Sequence, residues 1–532
     1  GMGNERIERI ILSLKDRSYQ PKPARREYIA KKNSSKKRPL GIQSGDDKLV
    51  QEVVKMILES IYEPVFSNKS HGFRPNRSCQ TALKQIQNTF TGANWFVEGD
   101  IHACFDSFDH HVVIDLLKKR IDDEAFIQLI WKFLKAGYME QWTFNRTYSG
   151  VPQGSGVSPV LANIYLHELD KFMENYAENF NTEAKKKHFS TAYKSSVGKA
   201  YRYRKKGREI WDSLSDEEKK IRCKNLKELE MIEKSTTPYV YNDSNYKRVQ
   251  YTRYADDFII TCENKETLEN EIKPLVAEFM SERGLTLSEE KTVITNVHDG
   301  FDFLGFNIRK YGKDILTKPT KKSEKRFMEN IRKVIKENKG CRQESLIRML
   351  NSKIRGWGGY YQHGATRDSF HRIDHQIFLS LWQWAKRRHS KKGKRWIKDR
   401  YWHDIRGNKW TFASKFKKPN GKEDQLTLLS LTSSFPFLQY TQIKGDMNPF
   451  DADCRLYFYK RKKSKMLVTL KGRKSLLYLW EKQGRKCPIC GEPIDTHKAW
   501  NVMPTVQNGK KCNLLVHDEC FKLSRKSNGN KK

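Results

Sequence analysis

The sequence predicts an α+β protein of several domains: a core that mixes helices and strands, a basic helical region after it, and a small cysteine-bearing C-terminal domain. Three observations lead there. The chain has 532 residues, beyond the size at which one hydrophobic core keeps growing. Hydrophobic residues make up 37% and aromatics 12%, enough to fill several cores. Short apolar runs with strand character alternate with longer segments of helical spacing.

The elements follow in order. A basic, Pro-interrupted stretch opens the chain and gives way to a helical pattern from Asp46 to Tyr62. Trp95-Phe96-Val97 reads as a strand running into an acid-rich turn, and residues 111–175 read as helices around a Gly-rich loop at 148–158. Residues 180–235 are rich in Lys, Arg and Glu with few apolar anchors, which marks a charged helical insertion between two halves of one domain. Two apolar runs, 249–254 and 258–261, flank a tight polar turn and predict a hairpin. A helix over 265–283 ends at Gly284, and residues 301–309 add another hairpin strand. Residues 320–390 are helical and very basic. Residues 391–470 mix basic runs with Trp396, Trp402, Trp410 and Phe412, and the last domain starts near 471.

Charge narrows the function. With 102 Lys and Arg against 63 Asp and Glu, the net charge is +39. Self-repulsion of that size disfavours the compact state unless a polyanion binds, so nucleic acid is the expected partner. No stretch approaches the roughly 18 apolar residues of a membrane span, and no helix sets a basic face against a strongly apolar one. The N-terminal Gly1-Met2-Gly3-Asn4-Glu5-Arg6 has no signal-peptide core. Cys79, Cys104, Cys223, Cys262, Cys341 and Cys454 are scattered, as in a reducing compartment.

Two acid clusters carry the chemistry. Asp100 and Asp106 follow an apolar strand; Asp256 and Asp257 sit at the hairpin turn in Tyr254-Ala255-Asp256-Asp257. Two-metal phosphoryl transfer needs carboxylates converging from different strands, because hard divalent ions prefer oxygen ligands. Adjacent acids between strands repel unless a cation lies among them. Taken alone, an Asp-Asp turn is also ordinary turn chemistry.

The ordered surroundings supply a resemblance. Arg38-Pro39-Leu40-Gly41-Ile42, Ser70-His71-Gly72-Phe73-Arg74-Pro75 with Arg77-Ser78, Asp100–Asp106 with Phe108-Asp109-His110, Gly150-Val151-Pro152-Gln153-Gly154 with Ser158–Asn163, the Tyr254–Asp257 turn, Gly284–Leu287 with Glu290-Lys291-Thr292, and Phe303-Leu304-Gly305-Phe306 stand in the order seen in reverse transcriptases encoded by group II introns. The resemblance implies a right-hand polymerase with fingers over residues 1–95, an RRM-like palm over 96–315 and an α-helical thumb. It implies that Asp100 and Asp256 hold two Mg²⁺ ions with Asp257 completing the site, and that the Ile101 carbonyl adds a ligand. Phe105 would be the ring that blocks a ribose 2′-hydroxyl, and Gln153 would contact the incoming deoxynucleotide. Lys48, Arg74 and Lys291 are candidate triphosphate contacts. Family members carry a further segment before the fingers, which this chain is expected to lack.

Residues 316–390 resemble the thumb and maturase domain X of the same family, through the pattern Asn351-x-x-x-Arg355-Gly356-Trp357-x-x-Tyr360-Tyr361. This implies binding to the intron's own RNA and help with its splicing, with Arg355, Lys386, Arg387 and Arg388 as candidate RNA contacts. Residues 391–470, with Lys391-Lys392-Gly393-Lys394-Arg395 and Lys460-Arg461-Lys462-Lys463, would be the family's basic DNA-binding region.

At the C-terminus, Cys487-Pro488-Ile489-Cys490-Gly491 and His517-Asp518-Glu519-Cys520 present two pairs with two-residue spacing, which suits one structural Zn²⁺; Cys512 competes as a ligand. The segment resembles the ββα zinc domain of His-Asn-His (HNH) endonucleases, with Asn513–His517, Pro504 and Asn508-Gly509 in place. The His pair that activates water in those nucleases falls on Trp500-Asn501-Val502-Met503, the last His falls on Phe521, and His497 is three residues out of register. General-base catalysis needs that imidazole, so this domain is expected to keep zinc and to have lost nuclease activity.

Together these readings predict an RNA-directed DNA polymerase that copies intron RNA and assists splicing and mobility, with intron RNA, DNA primer or target, and dNTPs as partners. The location implied is a bacterial cytoplasm, nucleoid-associated, or an organelle. Two other functions stay open on sequence grounds: mainly an RNA-binding splicing cofactor, or a domesticated reverse transcriptase in defence or repair.

Overall fold

Four short strands form an antiparallel sheet in the order Val293–Asn296, Trp95–Asp100, Asp257–Cys262, Gln250–Tyr254. This computed structural model describes residues 3–30, 37–90, 93–182, 188–236, 238–240, 246–312, 314–405, 407–417, 423–445, 447–470, 472–495, 499–507 and 510–529. Phe258–Cys262 is buried at every position, so both faces of this strand are covered. That is why it reads as a continuous apolar run and not as an alternation. The register places Gly99 opposite Phe258 and Asp100 opposite Asp257.

The helices Cys79–Thr89 and Ser158–Phe180 pack against the strand Gln250–Tyr254. A second four-stranded sheet joins Lys37–Ile42, Ala24–Ala30, Tyr138–Glu140 and Thr143–Asn145, with Ala24–Ala30 parallel to Tyr138–Glu140. It was not expected from the Pro-interrupted opening, since the parallel partner lies far away in sequence. The insertion is a helical hairpin, Thr191–Ile210 and Asp216–Ser235, closed at its base by the strands His188–Phe189 and Tyr239–Val240. The helix expected over 265–283 runs to Ser281 with a π segment at Leu268–Ile272, and Gly284 takes a φ of +69°.

A three-stranded meander, Phe301–Phe303, Phe306–Tyr311 and Asp314–Pro319, leads into the helices Lys321–Glu337, Gln343–Tyr361 and Arg367–Arg388. The next stretch forms a second three-stranded sheet, Trp402–Ile405, Asn408–Lys417 and Glu423–Thr427. One hydrophobic core runs from Phe96 and Ile259 through Ile331, Leu350 and Phe370 to Trp402, Phe412 and Leu431. Ile397, Tyr401, Trp402, Phe412 and Leu431 therefore pack with the helices before them.

The chain divides into two compact units, 1–55, 66–73 and 77–442 in one, and 56–65, 74–76 and 443–532 in the other. In the second, the helices Arg455–Thr469 and Lys474–Lys482 share a core with the strand Lys510–His517 and the helix Asp518–Gly529, through Met466, Leu470, Trp480, Leu515 and Cys520. That unit reaches back before 471, because Met466 and Leu470 supply part of its core. Among the described residues, no helix is long and apolar enough to cross a membrane.

Candidate active site

Asp100 ends one strand and Asp257 begins its neighbour, so the pairing register alone sets their backbones side by side. Ala255 and Asp256 form the two-residue turn of the hairpin. Ala255 takes a φ of +59°, unusual for a residue with a Cβ. Burial pushes Asp257 up to about 8, helped by the charges of Asp256 and Asp100 and a hydrogen bond with Asp100. Burial and the Asp100 charge raise Asp256 as well, against the pull of Arg38 and Lys291. Lys291 Nζ donates to Asp100 Oδ2 at 2.6 Å. Glu98, two residues before Asp100, is pushed up to about 7 by burial and by Asp302 and Asp100.

Three carboxylates thus crowd a small space where two of them resist ionising. Such a set fits hard divalent cations, whose charge would relieve the crowding that Lys291, bonded to Asp100, relieves in part. Asp106 lies apart from the triad and accepts from Gln153 Nε2 at 3.3 Å.

A buried brace holds the turn. Arg253 donates to Asp170 through Nε at 2.7 Å and Nη2 at 2.6 Å, to Asn163 Oδ1 at 3.2 Å and to the Ala255 carbonyl at 2.9 Å. Burial alone would raise Asp170; the Arg253 charge and hydrogen bonds overcome it and hold that carboxyl down at about 2. Asn163 and Asp170 lie on one face of the helix Ser158–Phe180, and Asn163 Nδ2 donates to the Gly72 carbonyl at 2.9 Å. Gly72 lies so close beneath the turn that a Cβ there would meet the Ala255 nitrogen at 2.3 Å. Sequence reasoning missed this brace. Its one signal was an Arg inside an otherwise apolar strand, which must find a partner once buried.

The Gly-rich loop is tied to the site through its backbone. Val151 N donates to Phe105 O and Gly41 N donates to Gln153 O, both at 2.7 Å. Phe105 is partly exposed, edge-on to Phe73 with centroids 6.5 Å apart. Ile101 is buried and bridged to Leu287. Lys48 is exposed in the first turn of the helix Gly45–Tyr62. Arg74 does not suit the triphosphate contact expected of it: its guanidinium grips Glu63 through two hydrogen bonds of 3.0 Å, with the two side chains only 2% and 4% exposed.

Of the candidate RNA contacts, Arg387 and Arg388 line one groove of about 450 Å³ with Arg332, Lys336 and Lys339. Lys386 and Arg355 are exposed and do not line it. The rest of the Asn351–Tyr361 pattern faces inward. Asn351 clips residues 427 and 429, Trp357 stacks on Phe327 at 4.7 Å, and the Tyr360 and Tyr361 hydroxyls donate to the carbonyls of Leu304 and Gly305.

In the second unit, Cys487, Cys490, His517 and Cys520 gather with their ligand atoms all within 4.8 Å of one another. His517 Nε2 donates to the Pro493 carbonyl at 3.0 Å, which leaves Nδ1 free to face Cys490 Sγ at 3.3 Å. Cys512 pairs with Thr505 on the hairpin, outside this group. Within the stretch Trp500–Met503, Asn501 donates to Asp518 at 2.5 Å. His497, Asn508 and Gly509 lie outside the described residues.

Residues 29–192 and 229–308 match the family model for reverse transcriptase (RNA-dependent DNA polymerase), and 324–402 match the group II intron maturase-specific domain. Among curated proteins, the chain is 47% identical over 310 residues to the group II intron-encoded protein LtrA of Lactococcus lactis subsp. cremoris, covering 58% of this chain and 50% of LtrA. It is 33% identical over 301 residues to protein YkfC of Escherichia coli K12, covering 54% of this chain and 68% of YkfC. A solved telomerase structure from Candida albicans aligns with a TM-score of 0.36 and 11% identity, covering 72% of this chain and 64% of that one. The chain spans about half the length of LtrA.

Proposed function

The chain belongs to the group II intron family of reverse transcriptases and maturases, with a reverse transcriptase-like fold of mixed helix and sheet, and from that premise we propose that it is an RNA-directed DNA polymerase that copies intron RNA and helps that RNA to splice. The observation that carries this reading is the meeting of Asp100, Asp256 and Asp257 at one strand end, with burial and mutual repulsion raising two of the three.

Asp100 and Asp256 would hold two Mg²⁺ ions, with Asp257 and the Ile101 carbonyl completing the set. Bound there, the ions would supply Lewis acidity for attack of the primer 3′-oxygen on the α-phosphorus and departure of pyrophosphate. The protein's own groups do the placing. Gln153 is fixed by its backbone bond to Gly41 and its side-chain bond to Asp106, on the loop that covers the nucleotide position. Phe105 is braced by Phe73 and Phe108 where a ribose 2′-hydroxyl would clash. Lys291 would meet the triphosphate, with Lys48 as a second cation.

The maturase-specific segment supports the splicing role, with the cationic groove of Arg387 and Arg388 as its RNA-facing surface. The Cys487, Cys490, His517 and Cys520 set would hold one structural Zn²⁺ in a ββα domain. With Trp500-Asn501-Val502-Met503 in place of the His pair that includes the general base, that domain would bind without cutting. The expected outcome is about one zinc per chain and no nicking of duplex DNA with Mg²⁺ or Mn²⁺. Metal-dependent nicking that disappears in His517→Ala would reverse the reading of this domain.

The central test is extension of a DNA primer annealed to RNA. The double variant Asp256→Asn with Asp257→Asn should fold, by circular dichroism and melting, yet lose extension by at least about 10³-fold, since electrostatic stabilisation is commonly the largest catalytic contribution. Extension retained by that variant would remove these residues from the catalytic role.

A further inference from the structure

The reverse transcriptase match breaks off after 192 and resumes at 229, and nearly all of the helix Thr191–Ile210 falls in that gap. The hairpin it begins is an excursion with adjoining ends, because Ser190 N donates to the Pro238 carbonyl at 3.0 Å. The first helix packs on the second through a narrow seam: Tyr193, Ser196, Ala200, Tyr203 and Gly207 recur at three- and four-residue spacing and are buried or half-buried. At Gly207 the fit is close enough that a Cβ would meet Arg222 Nε at 2.8 Å. Arg222 also lies over the Tyr203 ring at 4.4 Å.

Most of the rest of that helix is a cationic arc, with Glu209 near its C-terminal end as the one acid in the helix. Lys194, Lys199, Arg202, Lys205, Lys206 and Arg208 are all exposed, and none forms a salt bridge among the described residues. Arg204 is the cation in the helix that is paired, with Glu230 of the second helix at 2.9 Å. At 3.6 residues per turn, the six unpaired cations spread over about half the circumference, opposite the seam, along roughly 20 Å of axis. Tyr201, 63% exposed, stands within the arc, near its Arg208 edge and about midway along its length. The second helix mixes both signs, with Asp216, Glu217, Glu218, Glu228, Glu230 and Glu233 offsetting its lysines. The asymmetry is therefore specific to the first helix. Outside the seam the exposed large hydrophobics of this helix are Tyr201 and Ile210, too few to make an apolar stripe for a membrane surface.

We propose that the outer face of the helix Thr191–Ile210 binds the phosphate backbone of structured RNA, with Tyr201 available to stack on an unpaired base. Unpaired cations at this density match a polyanion whose condensed counterions are released on contact, and an exposed ring among cations suits a splayed base. The inference rests on reading the protein as one that handles RNA, and it concerns RNA capture and not nucleotide addition.

The test uses the full chain with Lys199→Gln, Arg202→Gln, Lys205→Gln and Lys206→Gln together, since Gln keeps helix propensity. A control carries Lys220→Gln, Lys224→Gln, Lys227→Gln and Lys234→Gln on the second helix, with the same change in net charge. The probe is a folded, multi-helix RNA, with duplex DNA of similar length in parallel. The first variant should bind the RNA at least tenfold more weakly, with a salt slope shallower by about 3. The control should stay within about twofold, as should extension of a DNA primer on a short unstructured RNA by both. Excision of 191–235, joining Ser190 to Thr236, should reproduce the binding loss. Equal losses in variant and control would reduce the effect to bulk charge and overturn the proposal. So would unchanged RNA affinity, a loss confined to duplex DNA, or loss of short-template extension. Failure of the unaltered protein to extend a primer on RNA would instead refute the polymerase reading and leave the binding comparison standing.

Discussion

At the scale of single residues, the acid site is defined by what its carboxylates lack. Asp257 moves from its ordinary value near 3.8 up to about 8, chiefly through burial and then through Asp256 and Asp100. The folded chain therefore holds this proton at pH values where the unfolded chain has released it. By linkage, its contribution to stability falls as pH rises from about 4 to about 8 and is flat beyond. In metal-free protein, Asp257→Asn should match the native chain in melting temperature near pH 4 and exceed it increasingly toward pH 8. Saturating Mg²⁺ should close the gap. A constant difference across that range, measured by thermal melts at several pH values, would mean that Asp257 is ionised at an ordinary pH. Which acids to watch was legible in the sequence, because two-metal chemistry demands Asp at a strand end and at a hairpin turn. That Lys291 would sit on Asp100, and that Arg74 would be consumed by Glu63, was not legible: pairing of long cationic side chains depends on which carboxylate the fold brings near.

At the scale of elements, glycine positions report how tightly strands and loops close around the site. Gly99 faces Phe258 across the central pair, and a Cβ there would meet the Phe258 ring at 2.1 Å. Gly99→Ala should therefore cost about 1–3 kcal/mol by overpacking, read as a lower denaturant midpoint, and adding Phe258→Leu should restore part of it. If the two substitutions were simply additive, the ring would not be the cause. The maturase pattern gives the same lesson in reverse. Asn351, Trp357, Tyr360 and Tyr361 stand out in sequence as a signature, yet the structure spends them on clips, ring stacking and hydrogen bonds to the Leu304-Gly305 turn. Lys353 and Arg355, within the same run, are the cations left exposed. Helical spacing announced the helix; only packing shows which of its polar groups are already satisfied.

At the scale of the molecule, the core that runs from Phe96 to Leu431 in the larger unit shares no residue with the core of the smaller one. Cys487 and Cys520 belong to the smaller core as well as to the candidate metal set, so metal loss should loosen that core first. A zinc-selective chelator should expose residues 472–529 to limited proteolysis while fragments spanning 95–430 persist. Equal protection with and without chelator would argue that the four residues hold no structural ion. The sequence by itself determined the succession of elements, the hairpin that carries Asp256 and Asp257, the charged insertion and the cysteine pairs, because each is written in local periodicity or in short fixed spacing. The tertiary structure alone decided the three-stranded sheet after the helix Arg367–Arg388, the backward reach of the smaller unit and the Arg253 brace. The physical reason is range: Arg253 finds Asp170 and Asn163 across 83 and 90 residues of chain, and a buried polar group takes whichever partner closure of the fold delivers.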